Sequence, residues 1–251
     1  MQKERRQLKL LLLQIRDGAQ VRQEELASFA EYCELSVEQI DVLNVFDTPE
    51  FSQDIADSYD ALLVGGASEA NVLRPDEYPF VMDCQRLLAH CAEIGKPVFA
   101  SCFGFQLAVL ALGGEIHHRE TDFEMGTIPI SLEYSVWQDA IFRDTPDGFY
   151  AVSVHKQYAS ALPLSCISLA YSDQCIHAFK LRDRPFWAFQ FHPEVDKKIL
   201  VERLTFYKEK YTDGDDQLDR VLSTAKDTPQ SNALLGKFVQ RILIDQEHLD
   251  S

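Results

Sequence analysis

Residues 96–114, KPVFASCFGFQLAVLALGG, restrict the folds open to this chain more than any other stretch. Pro97 to Ser101 reads as a short buried strand, Cys102 as the apex of a tight turn, and Phe103 to about Leu112 as an apolar helix. A nucleophile on a strand-to-helix turn stands clear of the sheet, and the helix N-terminus behind it favours negative charge. That environment favours a reactive thiolate. Gly104 lets the backbone pass close to the sheet, and Gly113-Gly114 ends the helix. A cysteine buried simply for packing would fit the same pattern. Both readings stand on this stretch alone.

The upstream chain repeats the alternation of strand and helix. Leu8 to Ile15 is a continuous apolar run of the kind found in buried parallel strands. Gln23 to Cys33 puts Leu26, Phe29, Ala30 and Cys33 on one helical face. Ile40 to Phe46 and Tyr59 to Val64 read as two more strands, the second running into Gly65-Gly66. Asp76 to Ile94 reads as a long amphipathic helix, capped by Gly95 and stopped before Pro97. The fold class that follows is α/β: an open, mostly parallel sheet with helices on both faces. Sites in such sheets form at the C-terminal ends of strands, where both Gly65-Gly66 and Cys102 fall.

Beyond Gly114 the texture becomes antiparallel. Strands are expected at Glu124 to Leu132, Phe149 to His155, Cys166 to Tyr171, Cys175 to Leu181 and Phe186 to His192. A short helix is expected from Val136 to Phe142 and a longer one from Asp196 to Tyr211. Thr212 to Asp216 reads as a linker, followed by helices at Leu218 to Ala225 and Asn232 to Ile244. The expected organisation is therefore an α/β domain over residues 1–211, with an added antiparallel region, and a helical C-terminal extension over 212–251.

Composition narrows the partners. A net charge of −16, from 24 basic and 40 acidic residues, argues against non-specific nucleic-acid binding. No apolar run approaches the roughly 18 residues of a membrane span. The leucines after the basic N-terminus are interrupted by Arg16-Asp17 before any cleavage site, so they read as a first strand of a cytoplasmic protein. Six cysteines without a CxxC pair fit a reduced compartment. No glycine-rich phosphate loop is present, and no cofactor is expected.

The segment Trp187 to Glu194, WAFQFHPE, supplies what Cys102 needs. Pro193 pushes His192 toward extended geometry, and in extended chain residues i and i+2 point the same way. His192 and Glu194 can then sit side by side, the carboxylate fixing the imidazole tautomer. A nucleophilic cysteine requires such a base and orienter.

Gly65-Gly66, the turn Cys102-Phe103-Gly104-Phe105-Gln106 and the segment Gln190-Phe191-His192-Pro193-Glu194 together resemble the class I, triad-type glutamine amidotransferase family. The resemblance covers roughly residues 8 to 207. It extends to His155-x-Gln157, Leu162-Pro163 and Gln174 to Phe179 of stand-alone members, and more weakly to the helical tail. It implies a flavodoxin-like sheet and a thioester mechanism. Cys102 would attack the side-chain carbonyl of glutamine, and backbone N–H groups of Gly66 and Phe103 would hold the oxyanion. His192 would protonate departing ammonia and then activate water, with Glu194 orienting it. Gly65, Gln106 and His155 would contribute to binding the substrate. The chain departs from the family pattern at Ala100, Ala67, Phe105 and His155-Lys156-Gln157, the last two bearing on how the amino-acid end of a substrate is read.

Three functions remain in play. One is a glutaminase passing ammonia to a separate synthetase. Another is a γ-glutamyl peptidase or hydrolase, which shares the triad and thioester and differs in leaving group. The third, a non-catalytic relative, is disfavoured by the intact triad. His117, His118, Glu120, Asp122 and Glu124 form a polar run whose alternate members could share a face as metal ligands, but a solvated edge is the simpler reading, and no metal site is assigned. The remaining cysteines, Trp137 and Trp187 read as core.

Overall fold

The computed structural model describes residues 3–206 and 215–247. Four short parallel strands form first: β1 (Leu10–Gln14), β2 (Ile40–Asn44), β3 (Ala61–Val64) and β4 (Val98–Ser101). Helices α1 (Ala19–Cys33), α2 (Phe80–Ile94) and α3 (Phe103–Ala111) lie between and after them. A two-residue β5 (His117–His118) pairs with β8 (Gln157–Tyr158) in a separate ribbon. The main sheet continues with β6 (Glu124–Leu132), β7 (Phe149–His155), β9 (Cys166–Tyr171), β10 (Ile176–Leu181) and β11 (Phe186–Phe189). Last come α4 (Lys197–Phe206), α5 (Asp215–Thr224) and α6 (Pro229–Lys237), the last running on as a π-helix over Phe238–Ile244.

The nine-stranded sheet has the order β2-β1-β3-β4-β11-β10-β9-β6-β7. From β2 to β11 the pairs are parallel, and from β11 to β7 antiparallel. The parallel strands are near-continuous apolar runs because both faces are covered. Leu11, Leu13, Leu62, Val64, Val98 and Ala100 face α2 and α3, while Leu10, Leu12, Ala61, Leu63 and Phe99 face α1 and the C-terminal helices. One consequence decides the site. β3, β4 and β11 are adjacent and parallel, so Gly65-Gly66, Cys102 and His192 all emerge from the same edge of the sheet.

The elements agree with expectation more closely in kind than in extent. α2 starts at Phe80 rather than Asp76, with Pro79 at its N-cap, since a residue lacking an N–H fits only the start of a helix. The helix expected at Val136 to Phe142 is a 3₁₀ segment, Tyr134–Gln138. Asp139 breaks it by accepting hydrogen bonds from the N–H groups of Ile141 and Phe142 at 2.9 and 3.0 Å. Trp187 is buried, its indole N–H bonded to Asp139 at 2.9 Å, whereas Trp137 is 66% exposed and not a core residue. Cys33, Cys84 and Cys91 are core, but Cys166 and Cys175 are only half-buried. Most of the expected 212–216 linker lies outside the described residues. The C-terminal helices share the main core: Phe238 packs edge-on against Phe99 and Trp187.

Candidate active site

Cys102 N-caps α3 with φ +50° and ψ −99°, a positive-φ conformation that side-chain-bearing residues seldom adopt. Its own N–H donates to the Phe189 carbonyl at 2.7 Å, tying the turn to β11. The thiol sits 3.9 Å from the Val154 carbonyl and 4.0 Å from Gln190 Nε2, and is 5% exposed. Gly104 explains how close α3 comes to β3. A Cβ there would lie 2.9 Å from the Val64 side chain and 3.0 Å from its carbonyl. The backbone N–H of Phe103, in the first turn of α3, has no intrahelical acceptor by geometry.

His192 follows β11, held by its N–H to the Val152 carbonyl at 2.8 Å. Its Nδ1 lies 2.7 Å from Glu194 Oε1, as the i, i+2 reading predicts. Glu194 is fully buried. Burial opposes charge on His192, but the charges of Cys102 and Glu194 and their hydrogen bonds outweigh it, raising the imidazole from 6.5 to about 9. Burial likewise opposes charge on Glu194, yet His192 and the guanidinium of Arg203 hold it below the ordinary carboxylate value. Because the folded His192 value lies above 6.5, its charged state stabilises the fold fully below that pH, and the contribution is lost as pH rises through about 9. The imidazolium needed to protonate a leaving amine disappears over the same interval. We therefore expect kcat/KM to fall with a midpoint near 9, and Glu194→Gln to move that midpoint downward by removing one of the charges that raise it. A pH–rate profile whose alkaline limb ignores Glu194→Gln would remove Glu194 from this role.

The Gly65-Gly66 loop is seated on a buried ion pair absent from the sequence-based site. Arg16, just beyond the end of β1, bonds Glu25 Oε1 at 2.9 Å and Ser68 Oγ at 2.9 Å. A Cβ on Gly65 would lie 2.7 Å from Glu25 Oε1, and one on Gly66 would lie 2.7 Å from His192 Cε1. A side chain at either position would have to displace the buried Glu25 carboxylate or the His192 ring. Arg203 of α4, paired with Glu24 at 2.8 and 2.9 Å, lines a cavity of about 40 Å³ with Arg16, Ser68, Val154 and His192. From the tail, Asn232 Nδ2 donates to the Pro193 and Val195 carbonyls at 2.8 and 3.1 Å, bracketing the His192-Pro193-Glu194 turn. Arg16, Glu25, Arg203 and Asn232 carry no local signal in the sequence; only their positions in the fold bring them here.

The other expected binding residues are placed as follows. Gln106 is buried, its Nε2 3.3 Å from the Gln157 carbonyl. His155 Nδ1 meets the same carbonyl at 2.9 Å, while its Nε2 turns away to Glu124 at 2.8 Å. Phe105 lies in the core against Phe179, with ring centroids 5.4 Å apart. The polar run is not extended: Asp122 has φ +56°, so Glu124 turns inward while His118 bonds Glu120 on the exposed side at 2.9 Å.

A thiol on a strained strand-to-helix turn, beside a buried His–Glu pair at the C-terminal edge of a parallel sheet, defines a cysteine-nucleophile amidohydrolase. Residues 28–208 match the family model for glutamine amidotransferase class-I, and the chain belongs to that family. It is 33% identical over 100 residues to the glutamine-hydrolyzing GMP synthase subunit of Methanocaldococcus jannaschii, a match covering 39% of this chain and 51% of that protein. It is 34% identical over 112 residues to the corresponding protein of Methanococcus aeolicus, covering 43% and 57%. The chain thus matches about half the length of these curated relatives. Among solved structures, a glutamine amidotransferase from Thermotoga maritima superposes with TM-score 0.74 at 18% identity, covering 94% of this chain and 98% of that one. That likeness establishes the shared fold. Among the described residues no helix is long and apolar enough to cross a membrane.

Proposed function

We propose that this protein hydrolyses the amide of glutamine through a thioester on Cys102 and passes the ammonia to a separate synthetase. The supporting observation is the fully buried Glu194 at 2.7 Å from His192 Nδ1, on a turn delivered to the same sheet edge as Cys102. Cys102 thiolate adds to the carboxamide carbon, and the electron pair moves to oxygen, facing the N–H groups of Gly66 and Phe103. Collapse of that intermediate breaks the C–N bond while His192 gives its proton to the departing nitrogen as ammonia leaves. Neutral His192 then takes a proton from water, whose oxygen attacks the thioester. A second tetrahedral intermediate expels Cys102 and leaves glutamate. Gly65 and Gln106 border this chemistry; His155 acts through the Gln157 carbonyl that it shares with Gln106. The catalytic unit in this reading is residues 1–211, with 212–251 a helical extension that braces it through Asn232.

Partner dependence is supported by the relatives named as glutamine-hydrolysing subunits of GMP synthase. The deciding experiment is a substrate panel of glutamine, asparagine and γ-glutamyl peptides, read as ammonia and glutamate release. Glutamine turnover with ammonia release is expected. Peptide cleavage without glutamine turnover would replace the reading by a γ-glutamyl hydrolase.

A further inference from the structure

We propose that Glu124, His155, Cys175 and His177 form a binding site for a divalent transition metal of the zinc type. The four ligand atoms, one from each side chain, all lie within 4.8 Å of one another. His155 Nε2 and His177 Nε2 are each 2.8 Å from Glu124 Oε2, and Cys175 Sγ is 3.5 Å from His177 Nε2 and 3.9 Å from Glu124 Oε2. Tetrahedral zinc with ordinary bond lengths puts nitrogen and oxygen ligands about 3.3 Å apart and sulfur about 3.5 Å from either. Each of those separations is within about 0.5 Å of its tetrahedral edge, a difference that small side-chain rotations absorb.

The hydrogen bonds of His155 point the same way, while His177 Nδ1 is buried without a hydrogen-bond partner. His155 Nδ1 faces the Gln157 carbonyl and Nε2 faces a carboxylate oxygen, so both ring nitrogens meet acceptors. A neutral imidazole can donate to only one of them. With Nδ1–H given to the carbonyl, the Nε2 lone pair is aimed at Glu124, and a cation between them turns a repulsion into two bonds. A ring N–H bonded to a backbone carbonyl is also the usual outer support of a metal-bound histidine. Ser172 Oγ holds the second Glu124 oxygen at 2.6 Å, leaving Oε2 to face the histidines. Charge balances as well: one carboxylate and one thiolate offset a divalent ion where neither charge has much solvent.

The placement indicates what the ion would do. Glu124 begins β6, His155 ends β7, and Cys175 and His177 flank the start of β10. β6 meets β9 through Ser131 and Leu132, so its first residues reach past that pairing toward the β9–β10 turn. A metal would join the two. It would also hold His155, and through it the Gln157 carbonyl that Gln106 uses next to the nucleophile. A small pocket lined by Arg119, Phe123, Lys156 and Tyr158 borders the cluster and supplies an approach.

The test uses the Cys102→Ala chain, so that the nucleophile cannot ligate. After chelator treatment it is titrated with Co²⁺ and followed by absorption spectroscopy. One equivalent per chain is expected, with tetrahedral d–d bands and a thiolate-to-cobalt charge-transfer band. Adding Cys175→Ser should abolish the charge-transfer band and weaken binding by at least about 10-fold. Zn²⁺ should displace the cobalt. Circular dichroism confirms that each variant is folded. Failure of the folded protein to bind cobalt, or a charge-transfer band that survives Cys175→Ser, overturns the proposal and leaves a histidine–carboxylate hydrogen-bond network in its place.

Discussion

Cys102→Ala is expected to lower glutamine hydrolysis by roughly 10⁴–10⁶-fold while leaving the fold intact, since the proposed thioester forms on that sulfur. The same loss is expected for His192→Ala, and the double variant should be little worse than either, because the two act as one unit. Folding should be preserved for a structural reason. Cys102 is held by its backbone N–H to Phe189 and by the start of α3, and besides the hydrogen bond to His192 that catalysis uses, its small side chain makes only long contacts to Val154 and Gln190. Alanine keeps those backbone bonds and the same positive φ. The measurement is glutamate release under saturating glutamine, beside a thermal melt. Turnover retained in folded Cys102→Ala would refute the assignment.

Gly66→Ala should cost on the order of 10²–10³-fold in kcat, the range seen when an oxyanion donor is lost. The new methyl would stand 2.7 Å from His192 Cε1 and 3.0 Å from Arg16 Nη2. Neither neighbour can yield freely. The imidazole is fixed by Glu194 at 2.7 Å, and Arg16 is fixed by Glu25 and Ser68 at 2.9 Å each. The loop must move instead, taking the Gly66 N–H out of line with the developing oxyanion. Stability should fall by about 1–3 kcal/mol, the ordinary cost of overpacking. Single-turnover measurement separates the two effects, because the chemical step should slow even in the fully folded fraction. An unchanged chemical rate would mean that Gly66 is not part of the oxyanion site.

The sheet and the turns that carry Cys102, His192 and Glu194 were legible for the same reason. A parallel strand buried on both faces must be apolar throughout, so Leu8 to Ile15 and Tyr59 to Val64 announce themselves without help from the rest of the chain. Cys102 and the His192-Pro193-Glu194 turn follow such runs directly, and each carries its geometry in neighbouring residues: Gly104 admits α3, and Pro193 keeps His192 extended. Where the reading missed, a side chain had overridden a local pattern. Asp139 capping two amides broke the helix expected at Val136 to Phe142 and left Trp137 in solvent. Glu124, read as part of a solvated edge, is instead buried, where the chain turns inward at Asp122 with φ +56°.

Sequence by itself therefore determined the layer architecture, the strand-to-helix turn at Cys102 and the pairing of His192 with Glu194, because each depends on residues a few positions apart. Only the tertiary structure decided how these are held and what else lies nearby. Arg16 and Glu25 come together beneath Gly65-Gly66 because β1 and β3 are neighbours in the sheet, although Gly65 is 40 positions beyond Glu25 and 49 beyond Arg16. Asn232 reaches the Pro193 turn only because α6 folds back over β7. Glu124, His155, Cys175 and His177 converge from three strands, each unremarkable in its own stretch. Such contacts depend on the register and curvature of distant strands, and no local spacing of residues encodes them.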